Sequence, residues 1–116
     1  MFPKESRLLK SEDFSYVFKK PMKITGQTCD LYLRPNQLSR ARLGLAVPKK
    51  AIKHAVLRNR VKRIIRECFR SGQDTVQGFD VVVVVKKPML DIPREQQSHE
   101  VATQWARMVN RVKGAS

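Results

Sequence analysis

The sequence predicts a single α+β domain, an α-β sandwich in which helices pack on a mixed sheet. Apolar residues recur every three or four positions in some segments and every second position in others, in the order helix, strands, helix, strand, helix. One run, Val81 to Val85, is continuously β-branched and fits a strand covered on both faces. The 116 residues make one domain (1–116) of ordinary size, and 41% hydrophobic residues suffice for one core.

The first helix starts at Ser11, a capping hydroxyl, with Glu12 and Asp13 placed at the positive end of the dipole. Phe14, Val17 and Phe18 share one face, and Pro21 stops the helix. From Lys23 to about Pro35 the chain reads as extended. Cys29, Leu31 and Leu33 form the packed face, and Tyr32 and Arg34 share the other. Pro35-Asn36 turns the chain into a second strand, Leu43 to Val47, which Pro48 ends.

A long helix is predicted from Ala51–Ala55 to Ser71, with Gly72 in the C-terminal cap. Asp80 is the entry residue of the valine strand. The last helix begins between Asp91 and Ser98 and ends near Lys113, and its stripe of Val101, Trp105, Met108, Val109 and Val112 faces the core. Trp105 is therefore read as a core anchor and not as a stacking platform.

Twenty-four Lys and Arg against ten Asp and Glu give a formal net charge of +14. Such self-repulsion weakens the compact state unless a polyanion is the partner, and nucleic acid is the usual one. A membrane is excluded as partner because the longest apolar run, Val81 to Val85, is far short of the ~20 residues of a spanning helix. The N-terminus, with Leu8-Leu9 as its apolar pair, offers no signal-peptide core. Cys29 and Cys68 both sit in apolar patterns, which predicts reduced core thiols in a cytoplasmic protein.

Charge concentrates in one segment: Lys49 to Arg70 holds nine Lys and Arg and a single acid, Glu67. At ~100° per residue, Leu57, Val61, Ile64, Ile65, Cys68 and Phe69 fall on one arc. Asn59, Arg60, Lys62, Arg63, Arg66, Glu67 and Arg70 fall opposite, with Arg58 near an edge. A merely solvated face mixes both signs, and this one barely does. Arginine's planar fork suits phosphate, so the ridge predicts contact with a polyanion.

No constellation for catalysis is visible. The ten acids are scattered, and neither His54 nor His99 has a carboxylate or cysteine at ligand spacing. No metal site and no small-molecule substrate are predicted. These residues leave two other readings open, a structural (for example ribosomal) RNA-binding protein and a DNA-binding protein with a recognition helix. The second is disfavoured, because the ridge is of the phosphate-binding kind and not a short set aimed at base edges.

Lys49-Lys50, followed by Arg58-Asn59-Arg60-Val61-Lys62-Arg63-Ile64-Ile65-Arg66-Glu67, resembles the signature of the bacterial ribonuclease P protein family. Asp13-Phe14 with Phe18, Leu43 to Val47 and Asp80 to Lys87 are similar to the family's first helix and to two of its strands. The resemblance covers Arg7 to Lys87, and the C-terminal helix by position only. It implies about four strands, three main helices and a left-handed β-α-β crossover, where the general rule, obeyed in ~98% of cases, predicts a right-handed one. Pro48 departs from the small or aliphatic residue common there, and Lys50 to Arg58 lacks the glycine of some members.

The resemblance also implies the partners: the catalytic ribonuclease P RNA, which holds the Mg²⁺, and precursor tRNA, whose 5′ leader is removed. It assigns RNA-subunit contact to Arg58, Asn59, Arg60, Lys62, Arg63 and Arg66. It assigns leader contact to Phe14, Phe18 and Tyr32, with Lys49, Lys50, Lys53 and Lys86 as phosphate neighbours.

Overall fold

The computed structural model describes residues 7–8 and 10–115. Of the N-terminal residues read for a signal peptide, 1–6 and Leu9 lie outside them. The elements are α1 (Ser11–Lys19), β1 (Met22–Ile24), β2 (Cys29–Pro35), β3 (Arg42–Ala46), α2 (Ala55–Gly72), β4 (Phe79–Val85) and α3 (Gln97–Ala115), joined in places by short 3-10 turns. Four strands form one sheet in the order β1-β2-β4-β3. β1 and β2 are antiparallel, as are β2 and β4, while β3 runs parallel to β4. Parallel neighbours need a crossover, and α2 supplies it.

The predicted face of β2 is the buried one: Cys29, Leu31 and Leu33 are all at most 2% exposed. With Val81 and Val83 of β4 they meet Val61, Ile65 and Phe69 of α2 and Val101, Trp105 and Met108 of α3. Trp105 stands edge-on to Phe69, ring centroids 5.8 Å apart, so it is the core anchor that its stripe predicts. The opposite face of the sheet carries a smaller cluster of Leu8, Val17 and Val82, flanked by Phe14, Tyr32 and Val84. The valine run is thus covered on both sides, as its composition requires.

Three local expectations need correction. The stretch from Lys23 to Pro35 is not one strand but a hairpin, with Lys23 opposite Tyr32. Residues 25–28 turn the chain, and the Asp30 carboxylate holds that turn by accepting the Gly26 N–H at 3.2 Å. Ser11 does not cap α1; Lys10 occupies the cap position, and its carbonyl already accepts the Asp13 and Phe14 N–H groups. Gly72 is the last residue of α2 at φ −114°, not a left-handed cap, and the chain runs on into a 3-10 turn, Gln73–Val76. The glycine is needed because a Cβ there would lie 2.5 Å from Trp105 Nε1.

Asp80 is more than an entry residue. It is fully buried, and the Arg42 guanidinium grips it at both oxygens, Nε to Oδ1 at 2.8 Å and Nη2 to Oδ2 at 2.7 Å. Asn36 Nδ2 adds a third bond at 2.9 Å. Arg42 and Asp80 are register partners, so this fork ties the starts of the two parallel strands together. The same contact raises the Arg42 pKa further.

Ile65 is fully buried, whereas Ile64 beside it only borders the core. Ile65→Ala should therefore cost ~2–5 kcal/mol in denaturant unfolding, and Ile64→Ala clearly less. Both cysteines are free thiols, Cys29 buried and Cys68 half-buried. Burial pushes the Cys29 thiol up from 9.0 to about 11. The unfolded thiol ionises first, so its contribution to stability is complete below about pH 9 and is lost as pH rises through about 11. A thiol reagent at pH 8 should modify Cys68 in the native protein and Cys29 only on unfolding. Cys29→Ala should flatten the alkaline loss of stability.

Candidate nucleic-acid interface

α2 is divided lengthwise as its pattern predicts. Val61, Ile65 and Phe69 are buried, Leu57, Ile64 and Cys68 border the core, and Asn59, Arg63 and Arg70 are exposed. Arg58, Arg60, Lys62 and Arg66 are half-buried, their stems lying along the fold. Two of the predicted contacts are partly spent inside the protein. Arg58 Nη1 donates to the carbonyls of Ile52 (3.0 Å) and Lys53 (2.7 Å), which pins the loop before the helix. Arg60 Nη2 donates to Gln97 Oε1 at 3.4 Å, across to α3.

The aromatic set separates into two environments. Phe14 leans on the second core cluster and packs where Gly44 has no side chain: a Cβ there would meet the Phe14 ring at 2.8 Å. Phe18 is 43% exposed and meets Tyr32 edge-on, centroids 4.9 Å apart. The two rings therefore form an aromatic pair on the sheet face that α1 only partly covers. Phe14 also borders a small cavity of about 150 Å³ together with Lys62 and Arg66, so one rim of α2 adjoins the α1 side of the sheet.

Lysines gather at one end of the sheet. β3 and β4 run parallel, with Ala46 opposite Val84, so the chain leaving β3 through Lys49 and Lys50 exits at the same end of the sheet as Lys86. Lys49, Lys50 and Lys53 are exposed, and none has an ion-pair partner among the described residues. Lys86 is different: its ammonium lies 2.9 Å from Asp30 Oδ1 and donates to the Gly26 carbonyl at 2.7 Å. It braces the β1–β2 turn and is not a free arm.

Lys23 escaped the sequence reading. Its ammonium sits 5.2 Å from the centre of the Tyr32 ring and 4.0 Å from Asp30 Oδ2. Reading Thr25 to Thr28 as a turn would have found it, because hairpin pairing then sets Lys23 opposite Tyr32. Among the described residues no three His, Cys, Asp or Glu side chains come together to hold a metal ion. No helix among them is long and apolar enough to cross a membrane.

Comparison with known proteins agrees with this architecture. The family model for ribonuclease P matches residues 2–109. The ribonuclease P protein component of Ectopseudomonas mendocina is 43% identical over 108 residues, which cover 92% of this chain and 81% of that protein. That of Aliivibrio fischeri is 41% identical over 113 residues, 97% of each. The solved RNase P protein of Staphylococcus aureus superposes with a TM-score of 0.81 at 29% identity, over 89% of this chain and 94% of that one. The RNase P protein of Thermotoga maritima gives 0.74 at 27% identity, over 90% and 96%. A match over nearly the whole chain decides among the readings that its charge alone left open: the chain belongs to the bacterial ribonuclease P protein family.

Proposed function

We propose that the cationic ridge of α2 is the face this chain presents to the ribonuclease P RNA, and that the Phe18–Tyr32 groove holds the single-stranded 5′ leader of precursor tRNA. The chain is the protein component of ribonuclease P, the endoribonuclease ribonucleoprotein that processes precursor tRNA 5′ ends. The observation that carries the proposal is the lengthwise division of α2: one arc is fastened in the core, so Asn59, Lys62, Arg63 and Arg66 stand on a rigid rail. A rigid row of cations meets a row of phosphates without first losing side-chain and backbone freedom.

Leader contact follows from groove chemistry. Phe18 and Tyr32 offer ring surface to unstacked bases, and Lys23, Lys49 and Lys50 offer charge to the backbone. Phe14 supports the groove from below through its seat on Gly44. Hydrolysis needs Mg²⁺, which in this reading the RNA holds. The two buried acids among the described residues are committed elsewhere, Asp80 to Arg42 and Asp30 to Lys86. The free thiols fit a reducing, cytoplasmic setting.

Reconstitution tests the reading. Purified protein alone should not cleave precursor tRNA, while a small amount added to a bacterial ribonuclease P RNA should raise cleavage at low Mg²⁺. If the ridge neutralises on the order of five phosphates, log K for the RNA should fall with log salt at a slope of about −3.5 to −4.5. Lys62→Ala with Arg66→Ala should weaken that binding and shallow the slope by about 1–2. Metal-dependent cleavage by RNA-free protein, or a slope near zero, would refute it.

The groove makes a separate prediction. Phe18→Ala or Tyr32→Ala should weaken holoenzyme binding of a long-leader substrate by ~1–3 kcal/mol per lost stack, with a leaderless substrate little changed. Comparable losses for both substrates would return these rings to a structural role.

A further inference from the structure

We propose that the groove between α2 and α3 is a second RNA contact, taking one unstacked nucleotide of the ribonuclease P RNA; this rests on the reading of α2 as the RNA-facing helix. The groove holds about 840 Å³, within the ~300–1,000 Å³ typical of small-ligand sites. Ile64, Ala102 and Trp105 give it an apolar floor, and Arg60, Arg63 and Arg94 stand around it. Arg94 comes from the 3-10 turn that leads into α3.

Two of its buried donors are unspent. Among the described residues, the buried side-chain nitrogens or oxygens without a hydrogen-bond partner are Arg60 Nε and Trp105 Nε1, and both residues line this groove. Buried orphan donors cost free energy, and two at one place mark a site that lacks its acceptor. Arg63 and Arg94 have no ion-pair partner among the described residues; of the two carboxylates that line the groove, Glu67 is held by Arg70, and Glu95 leaves the three arginines in excess.

A fitting occupant combines a flat apolar surface with anionic groups. A nucleotide does both: the base covers the floor, while its phosphates meet Arg63 and Arg94 and give Arg60 an acceptor once it turns from Gln97. Arg63 belongs to the α2 ridge as well as to the groove, so an RNA strand lying on the ridge passes the groove mouth. The floor is apolar and carries no set of paired donors and acceptors for a base edge, so the site reads shape and charge, not base identity.

Trp105 is the only tryptophan in the chain, so the tryptophan fluorescence comes from a residue that lines this groove. Binding of a bacterial ribonuclease P RNA to the full chain should shield Trp105 from acrylamide quenching. Ala102→Phe, placed on the exposed side of α3, fills the groove and should lower affinity for that RNA about tenfold, the scale of one lost base contact. Arg94→Ala should lower affinity and reduce the salt slope by about 1; thermal melts establish that both variants are folded. Wild-type affinity in both, while Lys62→Ala with Arg66→Ala still weakens binding, overturns the groove and leaves the ridge standing. Wild-type affinity in the ridge variant as well overturns the reading of α2 itself. Equal shielding of Trp105 by a poly-glutamate peptide, with no effect of Ala102→Phe on RNA binding, would assign the groove to acidic protein instead.

Discussion

Parallel pairing of β3 with β4 governs the molecule, and a buried fork holds it. Parallel neighbours cannot be joined by a tight turn, so the chain must leave the sheet, cross one face and return. α2 makes that crossing, and this alone obliges one of its arcs to be apolar. Arg42 and Asp80 stand opposite each other near the starts of the two strands, joined by two charge-assisted bonds at 2.7 and 2.8 Å. A carboxylate with no exposure is strongly unfavourable without such a partner, so the pair disfavours any slipped register.

The crossing helix then solves two problems at once. A net charge of +14 strains the compact state, and placing like charges on one outer arc keeps them away from the apolar contacts that hold the fold. Because the opposite arc is bound into the core through Val61, Ile65 and Phe69, the charges are also fixed in space. The core contacts and the cationic ridge share a helix but not its side chains. The exceptions are Arg58, which clamps the preceding loop, and Arg60, which reaches toward α3.

The two faces of the sheet differ because their covers differ in length. α2 and α3 together cover one face with helices of 18 and 19 residues. α1 has nine residues, ~14 Å of helix, against seven-residue central strands of ~23 Å. So short a helix buries Val17 and Val82 but leaves Tyr32 and Val84 half-covered. Exposed Phe18 and half-covered Tyr32 mark the part of the face that α1 is too short to close.

Periodicity and charge, both properties of the chain itself, determined a good deal. The alternation in Cys29, Leu31 and Leu33, the valine run, the lengthwise division of α2 and the Trp105 stripe are each a repeat that only one secondary structure can satisfy. They were legible because burial acts on every residue of an element together. Tertiary structure alone decided what depends on a single contact between distant segments. Asp80 became the partner of Arg42, 38 residues away, and Lys86 that of Asp30. Lys23 came to lie over Tyr32 only because residues 25–28 turn, and Gly72 was required by Trp105 and not by a helix cap. Arg94 reached the α2 groove only through the packing of α3 on α2. Such pairings leave no repeat in the sequence, because each is one distance set by the whole fold.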